Sequence, residues 1–202
     1  MKHQDRNMLQ GSLAWPLVTY AIPIMLTSFL QLLFNAADLV VVGRYCGSVS
    51  VAAVGSTGAI TNLIINLFIG MSVGAGVAVA HGIGSREQEA VFRTVHTAVP
   101  LAAISGIFLT VVGVSLSGKI LRAKSTPEDV LPLSKMYMEI YFLGITFNML
   151  YNFCASMIRA AGDTKTPLVI LTLAGILNVV LNVLFVKFGG MNVDGVAWAT
   201  II

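Results

Sequence analysis

Asp38 is the residue whose position asks for chemistry. It lies in a run from Leu13 to Gly43 that holds no other charged side chain. A carboxylate taken out of water is costly unless a proton, a cation or hydrogen-bond donors compensate it. Asp38 is therefore a candidate carrier of a proton or a sodium ion. The plainer alternative is a structural carboxylate satisfied by its neighbours.

Amides accompany it at helical spacing. Gln31, Asn35 and Asp38 stand at i, i+4 and i+7, on one helix face. Asn62 and Asn66 are one turn apart after Thr61, Asn148 and Asn152 precede Ser156 at the same interval, and Asn178 and Asn182 repeat the pattern. Two readings are open for such pairs: hydrogen-bonding glue between membrane helices, or polar stripes lining a shared aqueous cleft. Recurrence on four separate segments favours the cleft. Glu139, a few residues inside its own apolar run, reads as an interfacial charge.

Other reactive residue types form no constellation. His81 and His96 belong to no metal-binding pattern. Cys46 and Cys154 are isolated and read as packing residues. Gly82 and Gly84 do not complete a dinucleotide fingerprint, and Gly162 to Lys165 lacks the spacing of a P-loop. The chain is expected to be no enzyme, to need no cofactor, to bind no nucleic acid, and to hold no metal beyond Na+ at Asp38.

The elements that must position these residues follow from composition. The 202 residues are 56% hydrophobic and 10% charged, with a mean hydropathy of +0.86. Soluble domains carry about 25% charged residues, so the expected fold class is an all-α integral membrane bundle of about five to six transmembrane helices. Crossing about 30 Å of hydrocarbon takes roughly 20 residues. The charge map places helices at about 13–43, 51–81, 94–118, 134–158 and 166–188, with a sixth at 193–202 too short to cross.

That shortness points to an amino-terminal portion of a longer protein. The start, with Lys2, Asp5 and Arg6, reads as leading into a retained first helix rather than a signal peptide. With the amino terminus inside, Lys and Arg divide six to six between the two sides, so the positive-inside rule gives no orientation. Depth is more informative. In that topology Asp38, Asn178, Asn182 and Thr200 all fall in the outer half; Asn178 and Asn182 stand roughly 18 to 24 Å above the inner surface, and Thr200 about 10 Å below the outer one.

Pro23 interrupts the first helix and removes a backbone donor; a static kink and a bend that switches with the state of Asp38 are both open. Gly70 and Gly74 read as a small-xxx-small contact with Gly76 beside them. Residues 45–50 are expected to be an external loop. Ser85 and Gln88 have the spacing of a capping box for a short surface helix through Arg93. Arg159, Gly162, Asp163, Thr164, Lys165 and Pro167 form a tight turn, with Pro167 in the next helix's first turn.

Taken together, Pro23, Asp38, the Arg159–Pro167 turn, Asn178, Asn182 and the run Gly195, Ala197, Ala199, Thr200 resemble the amino-terminal half of the multidrug and toxic-compound extrusion (MATE) family. The resemblance implies a transporter of twelve helices in two six-helix lobes about a central cleft, this chain being the amino-terminal lobe, 1–202, with the other lobe of the full-length chain as its partner. It also implies a cytoplasmic amino terminus and efflux of cationic or amphipathic small molecules across the plasma membrane, in exchange for H+ or Na+. Asp38, Asn178 and Thr200 match positions of a cation site in a prokaryotic branch, whereas Asn182 departs from members that have an aspartate there. A lipid-linked oligosaccharide flippase of the same superfamily would be expected to show cationic residues within its spans. An inactive fragment or an accessory membrane subunit is the remaining alternative.

Overall fold

The computed structural model describes residues 14–202. The start at Leu13 and the Lys2–Arg6 leader lie outside the described residues. Six α-helices follow one another: α1 Ala14–Tyr45, α2 Ser48–Gly84, α3 Gln88–Ala123, α4 Leu131–Ala160, α5 Lys165–Val183 and α6 Val193–Ile201. A π-helical turn, Leu184–Phe188, continues α5. Among the described residues five helical segments are long and apolar enough to cross a membrane, the fifth running from Lys165 to Phe188.

The helices are longer than the charge map expects, because a helix has no reason to stop where hydrocarbon stops. Residues 48–50 belong to α2 rather than to an external loop. The reversal takes only Cys46 and Gly47, where Gly47 adopts φ +83°, a conformation open to glycine at little cost. No separate surface helix forms at 88–93, which is instead the start of the 36-residue α3. Ser85 does not cap it: its hydroxyl donates back to the Gly82 carbonyl at 3.3 Å. At the tight turn, the carboxylate of Asp163 accepts from the backbone N–H groups of Lys165 and Thr166 at 3.0 Å each, which satisfies otherwise orphaned donors of α5. Pro167 sits in the first turn of α5, as expected.

Packing divides the bundle into two groups. α2, α3 and α4 pack together, α1 lies against α5, and α6 joins the groups through α4 and α5. One apolar cluster holds Val79, Ala98, Ala102, Phe153 and Met157; another holds Leu121, Met138, Phe142, Ile145 and Met149. Small residues allow close approach, though not the expected ones. Gly70 and Gly74 have open space around them, while Gly76 packs against Ser156 of α4 and Gly113 of α3 against the Phe142 ring. The rotation of α2 that buries Ser72, Gly76 and Val79 turns Gly70 and Gly74 outward.

Hydrogen bonds identify the two ends of the bundle. Tyr20, near the start of α1, donates to the carbonyl of Arg159 at the end of α4 at 2.7 Å. At the opposite end Ser50 of α2 donates to Asn192, just before α6, at 2.8 Å. Val41, Val42, Val186 and Val196 close the packing there, and the polar residues of interest lie just beneath them.

Candidate functional site

The last third of α1, the end of α5 and the body of α6 converge on one polar chain. Asn182, fully buried, donates from Nδ2 to Oδ1 of Asp38 at 2.5 Å. The same nitrogen donates to Oδ1 of Asn178 at 3.2 Å. Asn178 in turn donates to Oγ1 of Thr200 at 3.5 Å, and Thr200 donates to the Val196 carbonyl at 2.8 Å. The chain runs from exposed Thr200 through half-buried Asn178 to Asn182 and Asp38, which is only 8% exposed.

Local sequence explains the convergence. Asn178 and Asn182, one turn apart on α5, share a face, and the Phe34 ring of α1 seats over Gly175 a turn earlier. That contact holds α1 against α5 about one turn before Asp38. On α6, Val193, Val196 and Ala197 are fully buried, which fixes its rotation.

Two features define what the site can do. Among the described residues Asp38 has no ion pair with any lysine, arginine or histidine. The Oδ1 atom of Asn182 is buried and no donor reaches it, while its Nδ2 donates to Asp38 and Asn178. A carboxylate, two amide oxygens and a hydroxyl in one place form an oxygen-donor set of the kind hard cations take. The same carboxylate can instead take a proton.

Other site residues fall elsewhere. Gln31 and Asn35, on α1 before Asp38, are exposed. Asn62 and Asn66 are exposed on α2, and the Asn66 amide donates to the Asn62 carbonyl of its own helix at 2.8 Å. Asn152 likewise donates to the backbone and side-chain oxygens of Asn148 at 2.8 Å. None of these amides is hydrogen-bonded to the Asp38 chain among the described residues. α1 runs through Pro23 without a break, and Thr27 donates to the Pro23 carbonyl at 2.8 Å. Glu139 accepts from Ser117 at 3.2 Å and lies 3.7 Å from Lys135 near the α3–α4 end, in keeping with an interfacial charge.

Two residues that sequence reasoning passed over stand beside the site. Tyr137 and Tyr141 of α4 stack with ring centroids 6.3 Å apart, within electrostatic reach of Asp38. Their spacing of one turn was the available signal, but tyrosines near a helix end also suit a membrane interface.

A multi-pass helical membrane bundle with an unpaired buried acid wired to amides is the class that fold and site define. The MatE family model matches residues 23–184. The chain belongs to that family, the MATE proteins. It is 31% identical over 196 residues to the probable multidrug resistance protein YpnP of Bacillus subtilis, covering 97% of this chain and 44% of that protein. It is 28% identical over 207 residues to an FAD transporter of Shewanella oneidensis, covering 98% and 45%. An outward-facing structure of a multidrug resistance MATE transporter of the MOP superfamily superposes with a TM-score of 0.90 at 27% identity, over all of this chain and 44% of that one. The chain thus spans about half the length of the relatives it matches.

Proposed function

We propose that this chain forms the amino-terminal lobe of a multidrug efflux antiporter of the plasma membrane. Its amino terminus is cytoplasmic, and it exports cationic or amphipathic compounds in exchange for H+ or Na+. It is a carrier rather than an enzyme. The supporting observation is the buried, unpaired Asp38 joined through Asn182 and Asn178 to Thr200 at the surface.

In the proposed cycle an ion enters along Thr200 and Asn178 and neutralises Asp38. Asn182 then exchanges its bond to the carboxylate for contact with the ion through Oδ1. Losing that bond frees α1 from α5, so α1 rearranges around Pro23 and cargo leaves the cleft lined by Gln31, Asn35, Asn62, Asn66, Asn148 and Asn152. Release of the ion on the other side returns the lobes. The ion shifts the equilibrium only by the difference in its affinity for the two states, and the Asp38–Asn182 bond is where that difference arises.

The test is efflux from vesicles holding the full-length protein, with proton and sodium gradients imposed separately and a cationic dye and a flavin as alternative cargoes. Dye efflux driven by either gradient supports the reading. Gradient-independent movement, or flavin as the sole cargo, removes it.

A further inference from the structure

A second polar site, sharing no lining residue with the Asp38 chain, lies between α3 and α4. At the end of the bundle carrying the α3–α4 loop, a cleft of about 260 Å³ opens between α3 and α4. Lys119, Arg122 and Lys135 line it together with Ser115, Ser117 and Glu139. The one acid is already engaged: Glu139 lies 3.7 Å from Lys135 and accepts from Ser117 at 3.2 Å. Among the described residues Lys119 and Arg122 have neither an ion pair nor a hydrogen bond. The neighbouring Lys124 is occupied elsewhere, donating to the Ser56 carbonyl at 2.6 Å. The cleft therefore holds two uncompensated cations, with the Ser115 hydroxyl beside them.

Its depth and its approach identify the ligand. From Thr94 to Gly118 α3 carries no charged residue, a length of roughly 37 Å that covers the hydrocarbon. Lys119 is the first charge beyond it, so the cleft sits at headgroup level. Ser115, Lys119 and Arg122 continue, at steps of three and four, a face of α3 that begins with Ile104, Phe108 and Val111. Those three side chains are 66%, 64% and 60% exposed. An apolar track thus leads along one helix face into a cationic cleft, the order of an acyl chain followed by an acidic headgroup. The aliphatic stem of Lys135 lies across Gly118, 3.6 Å from where a Cβ would stand, which keeps its ammonium on the α3 side of the cleft.

We propose that the α3–α4 cleft binds the phosphate of an anionic membrane phospholipid, with Lys119 and Arg122 as its charge partners and Ile104, Phe108 and Val111 as the seat of an acyl chain. The site is independent of the Asp38 chain and of the proposed transport cycle.

The experiment uses the full-length protein in nanodiscs containing phosphatidylglycerol and phosphatidylcholine. Lipid retained after mild detergent exchange is counted by native mass spectrometry. Each cation near an anionic surface contributes a factor of about five, so the protein should retain phosphatidylglycerol over phosphatidylcholine by roughly 25-fold. Lys119→Gln with Arg122→Gln should abolish that preference, while Lys187→Gln, in the π-helical turn after α5 and outside the cleft lining, should leave it intact. Equal retention of the two lipids by the unaltered protein overturns the proposal without any variant needing to fold. So does a folded double variant with undiminished preference. A third arm adds inorganic phosphate alone: if it displaces the lipid as effectively as glycerophospholipid does, the ligand is a soluble anion and the acyl track plays no part.

Discussion

Asn182 donates one amide proton to Asp38 at 2.5 Å and the other to Asn178 at 3.2 Å, and no donor reaches its buried oxygen. An unsatisfied buried acceptor costs about 1–3 kcal/mol. A cation arriving between Asp38 and Asn182 would satisfy that oxygen and the carboxylate together. In the proposed cycle that oxygen and the carboxylate would together hold the ion.

Asp38→Asn keeps the shape of the side chain and its capacity to accept from Asn182, but it can neither carry a charge nor release a proton. Ion-driven dye efflux by the full-length protein should fall by about 5- to 150-fold, the range of common coupling free energies. Thermal stability should change little. Unchanged efflux in vesicles under both gradients would show that Asp38 is structural.

Asn182→Asp places a second carboxylate 2.5 Å from the first, which has no ion pair with lysine or arginine among the described residues. Two such groups cannot both ionise there without a cation between them. Sodium should consequently drive efflux at about tenfold lower concentration, equivalent to about 1.4 kcal/mol. The check is the sodium dependence of dye efflux at fixed pH, and an unmoved midpoint counts against sodium ever occupying this site.

How far this site was legible follows from its residues. Asp38, Asn178, Asn182 and Thr200 stood out because each is polar within an apolar run, and spacing with rise per residue put them at similar depth. Their hydrogen-bond order was not legible, since it depends on helix rotation. The same limit explains the glycines: Gly70, Gly74 and Gly76 are equivalent as sequence, and only the packing of α2 on α4 selects Gly76. Helix ends were misjudged where charges were taken as stops, as at Arg86 to Arg93, although charged residues extend a helix readily beyond the bilayer. The π-helical turn at Leu184–Phe188 left no trace, because its five apolar residues fit an α-helix equally well.

Pro23 denies the Thr19 carbonyl its helical donor, and Thr27 fills a carbonyl one turn further on. Pro23→Ala restores the missing bond, and a proline in a helix interior costs about 3 kcal/mol relative to alanine. The variant's melting temperature should therefore rise while efflux falls, the combination expected if α1 must bend during the cycle. A rise in stability with full efflux would identify a static kink.

Gly113 offers a test of the packing itself. A Cβ there would strike the ring of Phe142, which is 1% exposed and enclosed by Leu121, Met138 and Ile145. The ring has nowhere to move, so Gly113→Ala should destabilise the bundle by about 1–3 kcal/mol. Gly70→Ala, with open space around it, should be neutral or stabilising by up to about 1 kcal/mol through helix propensity alone. Combining Gly113→Ala with Phe142→Leu should cost less than the sum of the two single changes, because the smaller side chain vacates the space the new methyl needs. Thermal unfolding in detergent compares the unaltered protein with the three single variants and the double variant. Additive losses would mean that α3 and α4 are not held at this distance by the glycine and the ring, and the close approach described between them would be wrong.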